Sequence, residues 1–169
     1  MSIKEQPGNS LAVRAPQQFE SWRGVEWQRL WLSLQAKPWT ALALVPASRG
    51  APPDFIVTMA VTLARTGITH LGAPVHVADG TAVELSQVIE FVDEIKRYQA
   101  IGDRILIALA PVDDDPIAET LAQAADKLLL CVMFENMSFG ESKRTVKKLG
   151  RDRFLGSTIV RHDDLSRKK

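Results

Sequence analysis

Short apolar runs alternate with longer segments of helical periodicity along this chain, and that alternation restricts the possible folds more than any other feature. The helical segments lie at 20–35, 53–66, 84–98, 116–125 and 137–149. The apolar runs lie at 41–45, 75–78, 104–110, 127–134 and 154–160. Helices that join successive strands through short loops form right-handed crossovers in a parallel sheet. The pattern therefore predicts an α/β fold, a three-layer α/β/α arrangement around a mostly parallel five-stranded sheet.

Apolar stripes within these segments predict which helix faces pack on the sheet. The third helical segment carries its stripe at Leu85, Val88, Ile89, Val92 and Ile95. Between the second helix and the second strand, Gly67 and Gly72 are expected to bracket a turn. A single cysteine, Cys131, lies inside an apolar run, where a buried structural thiol is the expected state.

Length and composition predict one folded domain with short extensions. The chain has 169 residues, enough for one ordinary core. Residues 1–18 hold prolines, a glycine and glutamines without a sustained period, which is typical of a flexible arm, and 163–169 form a polar tail. The segment between them, 19–162, is the predicted domain.

Charge and hydropathy argue against two classes of partner. The net charge of +1 gives no reason to expect nucleic acid. No apolar stretch approaches the roughly 18–20 residues of a membrane span, and the first residues lack a signal-peptide core. The expected location is the cytoplasm, without direct insertion into a membrane.

The loop after the first strand is where an α/β ATPase would hold phosphate. Such a loop needs glycines, whose N–H groups can point at phosphate, and a lysine that neutralises it. Residues 46–53 contain one glycine, Gly50, and one cation, Arg49, together with prolines that cannot donate. Asp54, near the start of the next helix, would compete with phosphate for the same positive helix end. This chemistry disfavours a phosphate cradle.

Acidic residues follow two further strands. The run Asp113–Asp115 could bind a divalent cation, but Asp115 directly precedes Pro116 and is better interpreted as a helix N-cap. Asp79 could cap the following helix or act as a general base, and the cap is favoured. The sequence shows no Cys/His cluster and no nucleophile in a recognisable setting. We therefore predict no catalytic residue, metal or cofactor, and only a weak ligand site at Arg49, Gly50, Asp79 and Asp113.

Four tryptophans crowd into the leading segment, at Trp22, Trp27, Trp31 and Trp39. Two interpretations stay open. The rings could pack on the core of the domain, which is the favoured interpretation. Alternatively, some of them could face a protein partner, because aromatic anchors are enriched at interfaces.

From Glu26 to Arg161 the order of motifs resembles the cytoplasmic kinase domain of bacterial tyrosine kinases from capsule and exopolysaccharide systems. These kinases are relatives of the ParA/MinD group of P-loop ATPases. Their leading helix carries Glu-x-x-Arg-x-x-Arg and helps to assemble rings; here Glu26 and Arg29 remain, and Leu32 replaces the second arginine. Where they have Gly-Lys-Ser/Thr, this chain has Gly50 followed by Ala-Pro-Pro-Asp.

The resemblance also shows what this chain has lost. Asp79 matches the aspartate that ends the family's second strand, but Ala108 stands where a metal-linked aspartate is expected. The tyrosine-rich tail is missing, and Tyr98 is the sole tyrosine. Phosphoryl transfer depends on positioned cations and backbone donors around the phosphates. The resemblance therefore implies a pseudo-enzyme.

The expected function is that of a catalytically inactive scaffold or regulator in bacterial exopolysaccharide synthesis or export. Its expected partner is a membrane polysaccharide co-polymerase or a related assembly subunit, which would bring it to the membrane, and a homo-oligomer is a further expectation. The predicted contact residues are Trp22, Glu26, Trp27, Arg29 and Trp31. One alternative is a module that binds nucleotide or another small molecule at the strand ends. A third is an enzyme of unrelated chemistry.

Overall fold

The computed structural model describes residues 24–161, in which helices and strands alternate in the expected order. The helices are α1 Val25–Leu34, α2 Pro53–Leu71, α3 Val88–Ala100, α4 Pro116–Ala122 and α5 Phe139–Leu149. The strands are β1 Ala41–Pro46, β2 Val75–Asp79, β3 Arg104–Ala108, β4 Lys127–Met133 and β5 Phe154–Val160. All four strand pairings are parallel, which confirms the predicted three-layer α/β/α fold. The predicted arm and tail lie outside the described residues.

The sheet has the strand order β2-β3-β1-β4-β5. Strand β1 lies at its centre, hydrogen-bonded to β3 on one side and to β4 on the other. Helices α1 and α2 cover one face of the sheet, and α3, α4 and α5 cover the other. In a right-handed crossover, the direction in which the chain moves along the sheet decides which face the connecting helix covers. The chain moves from β1 outward to β2 and then back across the sheet to β3, β4 and β5, so α3, α4 and α5 lie on the face opposite α2.

Successive side chains of β1 point to opposite faces of the sheet and so into two different cores. Leu42 and Leu44 point into the core beneath α1 and α2, while Ala41 and Ala43 point toward α3 and α4. All four side chains are fully buried. A strand covered on both faces must be apolar at every position, which explains why this run shows no polar alternation.

Helix α1 packs on α2 through a tryptophan and a glycine. The Trp31 ring is 1% exposed, and a Cβ atom built on Gly67 would approach it to 2.4 Å. The indole N–H of Trp31 donates to His70 Nδ1 at 3.1 Å, and the Trp39 ring meets Trp31 edge-on at 5.8 Å. The expectation that Gly67 opens a turn is therefore wrong. It lies inside α2, which continues to Leu71, because its missing side chain makes room for the indole.

Arg104 links the end of α1 to the sheet. Its guanidinium lies 4.7 Å from the Trp39 ring centroid and donates to Gln35 Oε1. Burial lowers the pKa of Arg104. The aromatic ring and the amide oxygen provide the cation–π and hydrogen-bond contacts that compensate for the lost hydration.

The buried face of helix α3 coincides only in part with the predicted stripe, since Ile95 is buried and Val88 and Val92 pack against the same core. Phe91, Ile95 and Tyr98 are buried, whereas Leu85 is 80% and Ile89 is 77% exposed. The predicted stripe is therefore wrong at these two positions. Leu85 belongs to a separate 3-10 turn, Leu85–Gln87, so α3 begins only at Val88 and the helical phase counted from Leu85 does not apply.

Substitution of Gly67 tests the packing between α1 and α2. We expect Gly67→Ala to lower the free energy of unfolding by about 1–3 kcal/mol, because the new methyl group overlaps the Trp31 ring. Gly140→Ala is the matched control, since Gly140 is also helical and a Cβ atom there meets nothing within 4 Å. It should be neutral or stabilising by up to about 1 kcal/mol. Urea unfolding of both variants is the measurement, and equal effects would contradict the packing argument.

Candidate functional site

Three loops meet beyond the carboxyl end of β1, because β1 lies between β3 and β4. They comprise residues 47–52 after β1, 109–115 after β3 and 134–138 after β4. The chain leaves β1 toward one face of the sheet and leaves β3 toward the other. Where the connections after two neighbouring strands leave toward opposite faces, the crevice between them is the usual ligand position in an open parallel α/β sheet. We therefore treat this loop cluster as the candidate site.

Asp114 binds the loop that follows β1. Its Oδ2 accepts the Gly50 N–H at 3.0 Å, and its Oδ1 lies 3.6 Å from Arg49 Nε. Arg49 Nη2 also donates to the backbone oxygen of Asp113 at 3.3 Å. The carboxylate therefore occupies a backbone donor that an external anion would need.

Contacts from the third loop complete the cluster. Asn136 Nδ2 donates to the backbone oxygen of Arg49 at 3.1 Å. Arg144 on α5 lies 3.8 Å from the carboxylate of Asp113. The loops after β1, β3 and β4 are thus joined to one another by groups of the chain itself.

The loop after β1 offers few backbone donors. The Ala47 N–H donates to the backbone oxygen of Cys131, and Pro52 and Pro53 have no N–H. Gly50 has φ of 71°, in the left-handed region that glycine adopts without strain. With Gly50 bonded to Asp114, this loop does not form the row of convergent N–H groups that binds phosphate.

Ser48 is a buried hydroxyl in the same loop. The residue is 6% exposed, and its Oγ is the one buried side-chain polar atom without a hydrogen-bond partner among residues 24–161. Buried polar groups are nearly always paired, so an unpaired one marks a position with a special role or requirement.

Three of the four residues predicted as a ligand site come together. Arg49, Gly50 and Asp113 lie in the cluster, whereas Asp79 ends β2, which β3 separates from β1. Two strand spacings amount to about 10 Å. Asp79 is therefore not part of the same constellation.

Asp79 stabilises a turn. Its Oδ1 accepts the Thr81 N–H at 2.9 Å and also binds the Thr81 hydroxyl. The following 3-10 turn is capped by Glu84 and Gln87, whose side chains each bind the other's backbone N–H. The favoured prediction of a helix cap at Asp79 is therefore wrong, because the turn brings the chain to a different capping pair.

The remaining aspartate behaves as expected. Asp115 Oδ1 accepts the Ile117 N–H at 2.9 Å, which confirms the predicted N-cap of α4. Among residues 24–161, no group of three or more His, Cys, Asp or Glu side chains is arranged to hold a metal ion. Each carboxylate of the run has a different protein partner.

Helix α1, which carries the predicted partner contacts, has both buried and exposed residues. Trp27 and Trp31 are 7% and 1% exposed, so the core-packing interpretation is correct for both, and their prediction as direct partner contacts needs correction. The Trp31 ring packs against Gly67 of α2, and Trp27 belongs to the same buried cluster. Glu26 and Arg29 are exposed. Trp22 lies outside the described residues.

Comparison with known proteins gives no relative to extend this picture. No protein-family model, curated protein or solved structure matches the chain significantly. Within residues 24–161, no helix is both long enough and apolar enough to cross a membrane.

Sequence reasoning missed the pairings that close the site. Asp114 was recognised as part of an acidic run, but its bond to Gly50 was not, nor were the roles of Ser48 and Asn136. Strand order is the signal that links these residues, since β1 must lie between β3 and β4 for their loops to meet. Periodicity along the chain gives the strands but not their order.

Removing the Asp114 carboxylate should open the loop to anions. We expect Asp114→Ala to cost at most about 1 kcal/mol, because the contacts that it breaks are partly exposed. Sulfate, phosphate or ATP should then raise the melting temperature of the variant more than that of the parent. Asp113→Ala, which removes a neighbouring charge and leaves Gly50 bonded, is the control for a thermal-shift series. Equal anion responses in all three proteins would show that Asp114 does not occlude the loop.

Proposed function

We propose that this chain is a non-catalytic α/β domain, similar in arrangement to a P-loop ATPase, that acts as a scaffold or regulator by binding another protein. The observation that carries the proposal is the engaged loop after β1, where Asp114 holds the Gly50 N–H. Phosphoryl transfer requires cations and backbone donors directed at the phosphates. Here the chain's own carboxylate accepts the N–H of the single glycine in the loop.

The end of β3 supports the same conclusion. The resembled kinases carry a metal-linked aspartate there, and this chain has Ala108, which is fully buried. The backbone oxygen of Ala108 accepts the Gly80 N–H at 2.7 Å, and a side chain on Gly80 would approach this oxygen to 2.8 Å. The region is tightly packed with apolar side chains and backbone, which is unsuited to a hydrated divalent cation.

The outer face of α1 is the surface that we assign to partner binding. Val25 and Leu32 are 58% and 55% exposed, and Glu26 and Arg29 accompany them. Buried Trp31 holds the opposite side of the helix against α2, so this face is presented on a rigid support. Amphipathic helix surfaces with apolar anchors and flanking charges are well suited to a groove on another protein.

The biological setting is proposed from the resemblance alone. It suggests exopolysaccharide synthesis or export in a bacterium. The partner would be a membrane polysaccharide co-polymerase or a related assembly subunit. The domain would then work in the cytoplasm and reach the membrane through that partner.

Binding to the cytoplasmic segments of a polysaccharide co-polymerase from the same source tests this assignment. We expect Arg29→Glu and Leu32→Asp each to weaken co-purification by about tenfold or more, since both alter the centre of the α1 face. Ile101→Asp is the control, because Ile101 is 67% exposed but follows α3 on the opposite face of the sheet. Circular dichroism verifies folding. Undiminished binding of both α1 variants would reject the surface.

A second candidate function is a module that binds nucleotide or another small molecule at the strand ends. The unpaired Ser48 hydroxyl favours it, because a polar group that entered the loop would supply the missing hydrogen-bond partner. Isothermal titration with ATP or ADP and magnesium distinguishes the two candidates. Absence of heat at millimolar nucleotide supports the scaffold, and micromolar binding supports the ligand module.

A further inference from the structure

Exposed apolar side chains are concentrated at the corner of the sheet where β4 and β5 end. Ten large apolar residues are exposed in the part of the chain that the structure describes, and four of them lie after β4 or near the end of β5. These four are Phe134, Met137, Phe139 and Ile159, which are between 41% and 83% exposed. Exposed apolar side chains that are grouped rather than scattered mark a contact with another molecule.

The strand register places two of these residues on the face of the sheet that α5 covers. Ile159 pairs with Val132, whose side chain packs in the buried cluster beneath α5, so Ile159 points to the same face. It is 59% exposed because β5 is the last strand of the sheet. Two residues further on, the Arg161 guanidinium lies 5.0 Å from the centroid of the Phe134 ring. The ends of β4 and β5 therefore present apolar groups together with a cation.

Helix α5 adds an aromatic ring and two lysines to the same corner. Phe139 and Lys148 are nine residues apart, which is half a turn around the helix axis. Lys148 lies 3.7 Å from Glu119 of α4, so Phe139 points to the other side, toward β5 and the edge of the sheet. Each step of four residues turns about 40° around the axis, so Lys143 and Lys147 follow Phe139 within an arc of about 80°. All three side chains are exposed.

Charge is distributed unevenly between this corner and the rest of the protein. Residues 134–161 hold seven Lys and Arg against three Asp and Glu, a net charge of +4, whereas 24–133 hold eight against thirteen, a net charge of −5. Of the three acidic residues, Glu141 lies on the α4 side of α5, in line with Lys148, and Asp152 follows the far end of that helix. Glu135 is the one next to Phe134. The net charge of +1 for the whole chain therefore conceals a basic surface that would orient the protein toward negative charge.

We propose that this surface, which we call the β5 corner, binds a lipid bilayer that contains anionic lipids. The β5 corner comprises Phe134, Phe139, Lys143, Lys147, Ile159 and Arg161. Its apolar side chains would enter the boundary between headgroups and acyl chains, and its cations would bind the anionic headgroups. Such binding lies in the plane of the membrane surface and needs no helix that spans the bilayer.

The mixture of basic and apolar groups favours a lipid surface over a nucleic acid. Nucleic acids bind Lys and Arg through their phosphates, and unpaired bases stack on aromatic rings. The aliphatic side chain of Ile159 and the thioether of Met137 have no equivalent partner there, whereas acyl chains accept aliphatic and aromatic groups alike. The Phe134 ring, moreover, is already covered in part by Arg161. An anionic bilayer supplies both the charge and the hydrocarbon that this corner requires.

This inference goes beyond the proposed function and does not depend on it. Helix α1 packs on the opposite face of the sheet from α5, so a bilayer at the β5 corner leaves the outer face of α1 uncovered. Substitutions at one surface leave the other unchanged. Binding to a protein partner through α1 and binding to lipid through the β5 corner can therefore each fail alone.

Co-sedimentation of the full chain with vesicles tests the charge contribution. Vesicles of phosphatidylcholine are compared with vesicles in which about one third of the lipid is phosphatidylglycerol, and the chain should bind the anionic ones at least about tenfold more tightly. Lys143→Glu with Lys147→Glu should lower that affinity by about tenfold or more. Lys96→Glu with Arg97→Glu is the control, because it changes the net charge equally at exposed residues of α3, over the other edge of the sheet, and should have little effect.

Substitution of Phe139 tests the apolar contribution. Phe139→Ala should weaken binding to the anionic vesicles by about fivefold or more, and Phe139→Trp should retain it, because Trp is favoured at the membrane interface. Ile89→Ala, at a residue of α3 that is 77% exposed, is the control and should leave binding unchanged. Circular dichroism verifies that each variant folds.

Four outcomes would overturn the proposal. They are no preference for anionic vesicles, losses in the α3 controls equal to those in the α5 variants, undiminished binding of Phe139→Ala, and binding of single-stranded DNA instead of vesicles through the same residues. The last outcome would assign the β5 corner to nucleic acid. Tight binding to anionic vesicles that is lost in both kinds of α5 variant and kept in the controls would support it.

Discussion

The central position of β1 is the constraint on which the rest of the structure depends. This strand bonds to β3 and β4 on its two sides and is covered by helices on both faces. Every backbone polar group of such a strand must be paired within the sheet, and every side chain must be apolar. The same position brings the loops after β1, β3 and β4 to one point. The candidate site therefore follows from strand order as much as from its own residues.

Two effects of different strength disfavour phosphate at that site. The bonds between Asp114 and the Gly50 loop are partly exposed, so each contributes about 1 kcal/mol or less. Prolines at 52 and 53, in contrast, remove backbone donors permanently. Asp114 closes the loop reversibly, but the covalent structure of the loop limits what could bind there even when Asp114 leaves. This difference is why we favour a scaffold over a weakened ATPase.

Much of the fold could be predicted from periodicity, because continuous apolar runs and helical stripes are local consequences of burial. Some of the failures involve partners distant in sequence, and others are local. Gly67 looked like a turn residue because the Trp31 ring that requires it lies on another helix. The two exposed residues of the α3 stripe were misassigned because a 3-10 turn shifts the helical phase. The pairing of Asp114 with Gly50 could not be predicted, since it depends on the order of the strands.

The environment of the α1 tryptophans also depends on residues distant in sequence. Their spacing identifies one helix face but not whether another helix or a partner protein covers it, and α2 is what covers Trp27 and Trp31. Burial of these rings leaves the opposite side of α1 as the outer surface of that layer.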